Sequence, residues 1–157
     1  MSTDSKTKAR RRLLRFNSLE ETVVEAGRLA ADPNVKMLGN WPLDRLLSHL
    51  TVAVNSSIDG IPGQAPWLVR LLGPLIKGRV FRRGMSPGFR LPKKLEAVAF
   101  PADGSIDEAL AKLKAAVART TTERMSARHP VFGNLTHEEW VQFHLRHAEL
   151  HLSFAVT

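Results

Sequence analysis

Leu135-Thr136-His137-Glu138-Glu139-Trp140 opens a segment that continues through Phe143-His144-Leu145-Arg146-His147-Ala148-Glu149-Leu150-His151. Thr136 followed three residues later by Glu139 has the spacing of a capping box, in which a hydroxyl and a carboxylate satisfy free amides of a helix's first turn. Leu135 before the cap and Trp140 after it are placed for a hydrophobic staple. The spacing predicts a helix over about 137–155. At ~100° per residue, Trp140, Phe143, Leu150 and Phe154 fall on one face, and Gln142, Arg146 and Glu149 point the other way. His144, His147 and His151 lie within the apolar stripe, where a helix ordinarily carries Leu.

Three more helices follow by the same logic. Ser18-Leu19-Glu20-Glu21 has capping-box spacing and predicts a helix over about 19–31, with Leu19, Val23, Ala26 and Ala30 on one side and Asp32-Pro33-Asn34 as its stop. Pro42 reads as a first-turn proline. Leu43, Leu46, Leu47, Leu50 and Val54 then recur at helical spacing over about 42–58. Ser105-Ile106-Asp107-Glu108 opens a helix over about 106–123. Residues 60–95 break the pattern, with six of the ten glycines and five of the nine prolines. A short helix at Trp67–Leu72, ended by Gly73-Pro74, is expected there inside a long excursion. No strand alternation is visible. These features predict an all-α antiparallel four-helix bundle, with a long Gly/Pro-rich basic excursion between its second and third helices.

The chain has 157 residues, a formal net charge of +8, 43% hydrophobic residues and no cysteine. This suits one compact domain and excludes disulfides, thiolate metal sites and a cysteine nucleophile. Residues 1–16 carry six basic groups against Asp4, and residues 61–95 carry eight with no acid. The expected organisation is a flexible basic tail over 1–16 and a single domain over 17–157. No apolar run approaches the ~20 residues of a membrane span. Leu13-Leu14 is followed at once by Arg15, too little for a secretory signal. The protein is therefore read as cytoplasmic. Nucleic acid is not expected as a partner, because no helix-turn-helix, zinc-finger or aromatic RNA-binding signature accompanies the charge.

Burying one imidazole without a partner costs free energy, and burying three costs more. The group needs hydrogen-bond partners, a cavity or a metal. His147 and His151, four apart, can reach one ion from successive turns. One helix cannot complete a coordination sphere, so His49, at the edge of the second helix's apolar stripe, is the third candidate. A hydrogen-bonded histidine core is the alternative. His129, beside Pro130, and His137, in a first turn, read as surface residues.

The segments Trp41-Pro42-Leu43-Asp44-Arg45-Leu46-Leu47-Ser48-His49-Leu50 and His147-Ala148-Glu149-Leu150-His151 resemble the ligand-bearing motifs of the DinB/YfiT-like superfamily of metal-dependent four-helix bundles. The chain looks closer still to a bacterial family of uncharacterised DinB-like proteins, which share Asn40-Trp41, Ser57-Ile58-Asp59-Gly60, Pro62-Gly63-Gln64-Ala65-Pro66-Trp67, Pro87-Gly88-Phe89 and His129-Pro130-Val131-Phe132-Gly133. The resemblance implies one divalent metal, zinc or nickel, on His49, His147 and His151. It also implies a transferase or isomerase chemistry that uses a low-molecular-weight thiol in several members. The chain departs from the commonest pattern after its last ligand, where Leu152-Ser153-Phe154 replaces Arg or Gly-Gln.

The leading expectation is a metal-assisted transferase or hydrolase acting on a small, anionic substrate. His144 is the candidate catalytic or supporting residue one turn before the pair. Asp59, Gln64, Arg70, Lys77, Arg82 and Arg83 are candidate substrate contacts, with the basic 61–95 segment covering the metal mouth. The rival is a non-catalytic binding protein with a histidine-rich core and a basic surface for an acidic partner or a membrane. A homodimer remains open.

Overall fold

The computed structural model describes residues 10–61, 65–88, 93–102 and 104–157. Its helices are α1 (Leu19–Ala31), α2 (Leu43–Asp59), α3 (Trp67–Arg83), α4 (Lys93–Ala99), α5 (Ile106–Arg119) and α6 (His137–Leu152). The described chain is mostly helical. Four two-residue strands join them: β1 (Lys36–Met37), β2 (Arg128–His129), β3 (Gly133–Asn134) and β4 (Ala155–Val156). They are too short for alternation to show in the sequence.

The caps act largely as their sequences direct. Ser18 Oγ accepts from Glu21 N, and Ser105 Oγ from Glu108 N. The reciprocal box closes at α6, where Thr136 Oγ1 accepts from Glu139 N and Glu139 Oε2 accepts from Thr136 N. At α1 the carboxylate of Glu21 instead takes the N–H of Asn17. Helices α1, α2, α5 and α6 pack on one another around one apolar core, in which Leu29, Leu47, Leu113, Leu145 and Leu152 are almost wholly buried. Leu135 and Trp140, the expected staple, sit with Met125 and Phe132 in a second cluster against α3.

The long interruption is more helical than its glycines and prolines suggest. Gly73-Pro74 does not end α3, which continues to Arg83. Pro74 forfeits one backbone donor. The helix survives because its second half is anchored: Val80 and Phe81 pack on the Trp140 cluster, and Lys77 Nζ meets Glu139 Oε1 at 2.5 Å. Gly73 touches the following loop so closely that a Cβ there would lie 2.0 Å from the Val131 carbonyl oxygen. Gly73→Ala is therefore expected to push α3 off the 131 loop. Overpacking of this kind costs ~1–3 kcal/mol. The melting temperature should fall by several degrees, and an unchanged value would show that the loop gives way freely.

Two expectations about the outer surface change. Residues 10–16, assigned to the basic tail, run against the end of α6; residues 1–9 lie outside the described residues. Arg12 donates to the carbonyls of Leu152 and Ala155 and pairs with Glu25 at 2.6 Å. Phe16 is buried. Its N–H donates to Glu149 Oε1 at 2.7 Å, and its carbonyl accepts from Arg146 Nη2 at 3.0 Å. Arg146 and Glu149, assigned to the outward face of α6, are consequently 2% and 8% exposed. The helical wheel locates that face correctly, but a segment 130 residues or more away covers it.

Candidate metal centre

Helix α2 supplies His49, and α6 supplies His147 and His151 one turn apart. Each offers a ligand nitrogen, and the three lie within 4.8 Å of one another. His49 Nε2 and His151 Nε2 each stand 3.0 Å from His147 Nε2. His49 Nδ1 lies 2.7 Å from the Ala99 carbonyl oxygen. A carbonyl only accepts, so Nδ1 carries the proton and the Nε2 lone pair of neutral His49 points into the cluster. The His49 ring is also stacked on Phe100, 3.9 Å away between centroids, and Phe100 is stacked on Trp41. The end of α4 and the residue after it therefore fix the ring's orientation.

Burial holds all three imidazoles neutral. Desolvation pushes His49 down to about 4, against the opposing pull of the Ala99 carbonyl. It pushes His151 down to about 3, helped by His49. His147 is pushed well below the ordinary histidine value by burial first, then by His151 and His49. Neutral imidazoles are the form that a metal requires.

A family model described as a protein of unknown function, DUF1569, matches residues 8–157. The chain belongs to the DUF1569 family. The comparisons with curated proteins and with solved structures returned no match.

In this DUF1569 chain the other candidate residues are dispersed. His144 is buried away from the cluster, with Nε2 3.1 Å from Ser57 Oγ and its ring stacked on Trp140. Ser57 gives its own hydrogen to the Val54 carbonyl at 2.6 Å, so His144 Nε2–H donates. Desolvation, then His129, lowers His144 to about 3. Asp59 forms a forked ion pair with Arg119 at 2.7 and 3.0 Å. Gln64 lies outside the described residues. Lys77 is paired with Glu139. The Arg82 carbonyl accepts from Arg15, while the side chains of Arg82 and Arg83 are exposed. Arg70 lines a cleft of about 450 Å³ between α3 and the β2–β3 hairpin, with Trp67, Arg128 and His129.

His129 corrects the surface assignment. It is buried among Phe132, Trp140 and Phe143, and its Nδ1 accepts from Val131 N and Phe132 N. Burial lowers it to about 4. His137 is half-buried, and its Nδ1 accepts from Met125 N. Sequence reasoning missed Ala99, Phe100 and Phe143 at the site. The first contributes only a backbone carbonyl, for which a sequence has no signal. The rings of the other two are indistinguishable from ordinary core residues.

Proposed function

We propose that the chain is a DinB/YfiT-like antiparallel four-helix bundle in which His49, His147 and His151 hold one divalent metal ion, zinc or nickel. The site serves a transferase or hydrolase reaction on a small molecule, with a low-molecular-weight thiol as a candidate co-substrate. The observation that carries this reading is the convergence of three Nε2 atoms with too few hydrogens between them. His49 Nε2 has none, because its proton is on Nδ1. If His147 Nε2–H donates to His49, it has no lone pair for His151. If His151 donates to His147, the lone pairs of His147 and His49 face each other at 3.0 Å. A closed hydrogen-bonded core therefore leaves one contact of the cluster unsatisfied, whereas three bare nitrogens around a cation satisfy all of them; His147 Nδ1 is buried without a partner in either arrangement. Zinc–nitrogen bonds of ~2.0–2.1 Å at tetrahedral angles separate the donors by ~3.3 Å, close to the 3.0 Å of the two contacts that His147 makes.

An ion held there supplies Lewis acidity toward a thiol or a water. The protein's own groups do the rest. Ala99 and Phe100 fix His49, and Phe143, its ring 5.4 Å from that of His147, keeps one side of the site apolar. His144 supports α6 against α2 through Ser57. Protein prepared without a nickel column and loaded with zinc, then dialysed, should retain about one equivalent per chain by elemental analysis. His49→Ala, His147→Ala and His151→Ala should each lose it. His137→Ala should keep it, and His144→Ala should weaken retention without removing it. Wild-type protein that retains no metal would refute the assignment.

A further inference from the structure

Helix α3 is the feature that the metal site does not explain. Its buried residue is Gly73. Trp67, Leu71 and Leu75 are 71%, 64% and 78% exposed, and Leu68, Leu72 and Ile76 are exposed as well. Single exposed apolar side chains are ordinary, but such a number on one helix marks a contact surface. The cations are placed differently: apart from Arg70, which lines the cleft against the β2–β3 hairpin, they are Lys77, Arg79, Arg82 and Arg83 and follow the apolar half, and no acidic residue lies between 61 and 95. The two characters are separated along the helix axis rather than around it. Val80, Phe81 and the Lys77–Glu139 pair tie the basic half to the body, so the apolar half is presented by a fixed support.

We propose that α3 docks the protein on an anionic lipid bilayer. Trp67, Leu68, Leu71 and Leu75 enter the boundary between headgroups and acyl chains, and Arg79, Arg82 and Arg83 meet lipid phosphates and carboxylates. Trp suits that boundary because its ring is apolar and its N–H is polar. Charge complementarity selects this occupant over a second copy of the chain. A twofold contact through α3 sets its arginines against the same arginines or against the apolar half, with no acid on the helix to neutralise them. Among the described residues no helix is long and apolar enough to cross a membrane, so the contact is peripheral.

The test uses the full chain with phosphatidylcholine vesicles, with and without phosphatidylserine. The protein should float with the anionic vesicles, and the tryptophan emission should shift to the blue. Trp67→Phe should remove most of the shift, because of the other two tryptophans Trp140 is already buried and Trp41 is half-buried and stacked on Phe100. Arg79→Gln, Arg82→Gln and Arg83→Gln combined should weaken anionic-vesicle binding about a hundredfold, at about fivefold per charge. Leu71→Ser with Leu75→Ser should abolish stable binding; both positions are exposed, and circular dichroism checks that the fold persists. Absence of flotation, binding indifferent to the leucine substitutions, or a dimer in sedimentation that those substitutions dissolve would each overturn the proposal. The last result would assign the face to a second copy.

Discussion

Lowering the pH of the metal-free protein from 7 toward 4 is expected to unfold it, with a midpoint near pH 5. Five histidines titrate abnormally low in the fold. Burial pushes His49 and His129 to about 4 and His144 and His151 to about 3, and it holds His147 well below its ordinary value. The unfolded chain protonates its histidines near 6.5. Between that value and about 4 the unfolded state therefore binds protons that the folded state does not. Stability is fully present above about 6.5 and is lost as the pH falls. Each histidine contributes up to ~1.4 kcal/mol per pH unit, so five contribute up to ~7 kcal/mol per pH unit against a typical total of ~5–15 kcal/mol. Circular dichroism across a pH series reads the transition. Zinc should raise stability at pH 8 and do so less at pH 5.5, because protons compete for the same nitrogens. A midpoint below pH 4 would mean that the histidines are more accessible to water than their burial indicates.

Glu149→Ala is expected to cost about 3–5 kcal/mol, the range for breaking a buried ion pair. Arg146 lies 3.0 Å from Glu149 and is 2% exposed. A carboxylate stranded in the interior can take up a proton, but a guanidinium cannot shed one. Removing the acid is therefore worse than removing the base. The same substitution strips the acceptor from Phe16 N and detaches the 10–16 segment from α6. Urea denaturation should show the loss, and trypsin should cut faster at Arg10–Arg15. Glu149→Gln, which keeps an acceptor for Phe16, should cost less. A loss under about 1 kcal/mol for Glu149→Ala would show that the Arg146 guanidinium reaches water once the carboxylate is gone, its burial notwithstanding.

Much of this was legible before the structure. The helix starts at Leu19, Ile106 and His137 follow from capping residues whose partners lie within four positions, so local sequence carries the information. The convergence of His49 with His147 and His151 was legible because imidazoles in apolar stripes are costly without a partner. What was not legible depends on distant chain. The burial of Arg146 and Glu149 comes from Phe16, and that of His129 from Phe132, Trp140 and Phe143. The tautomer of His49 comes from a carbonyl at residue 99. Gly73-Pro74 read as a stop because local rules say so, and tertiary anchoring of Val80 and Phe81 overrides them.

The most direct measurement of the central claim is anomalous diffraction, at the zinc edge, from crystals of zinc-loaded protein prepared without a nickel column. One peak is expected at bonding distance, ~2.0–2.1 Å, from the Nε2 atoms of His49, His147 and His151. A crystal with no peak among these three nitrogens, or with the ion at His129 or His144 instead, would contradict it.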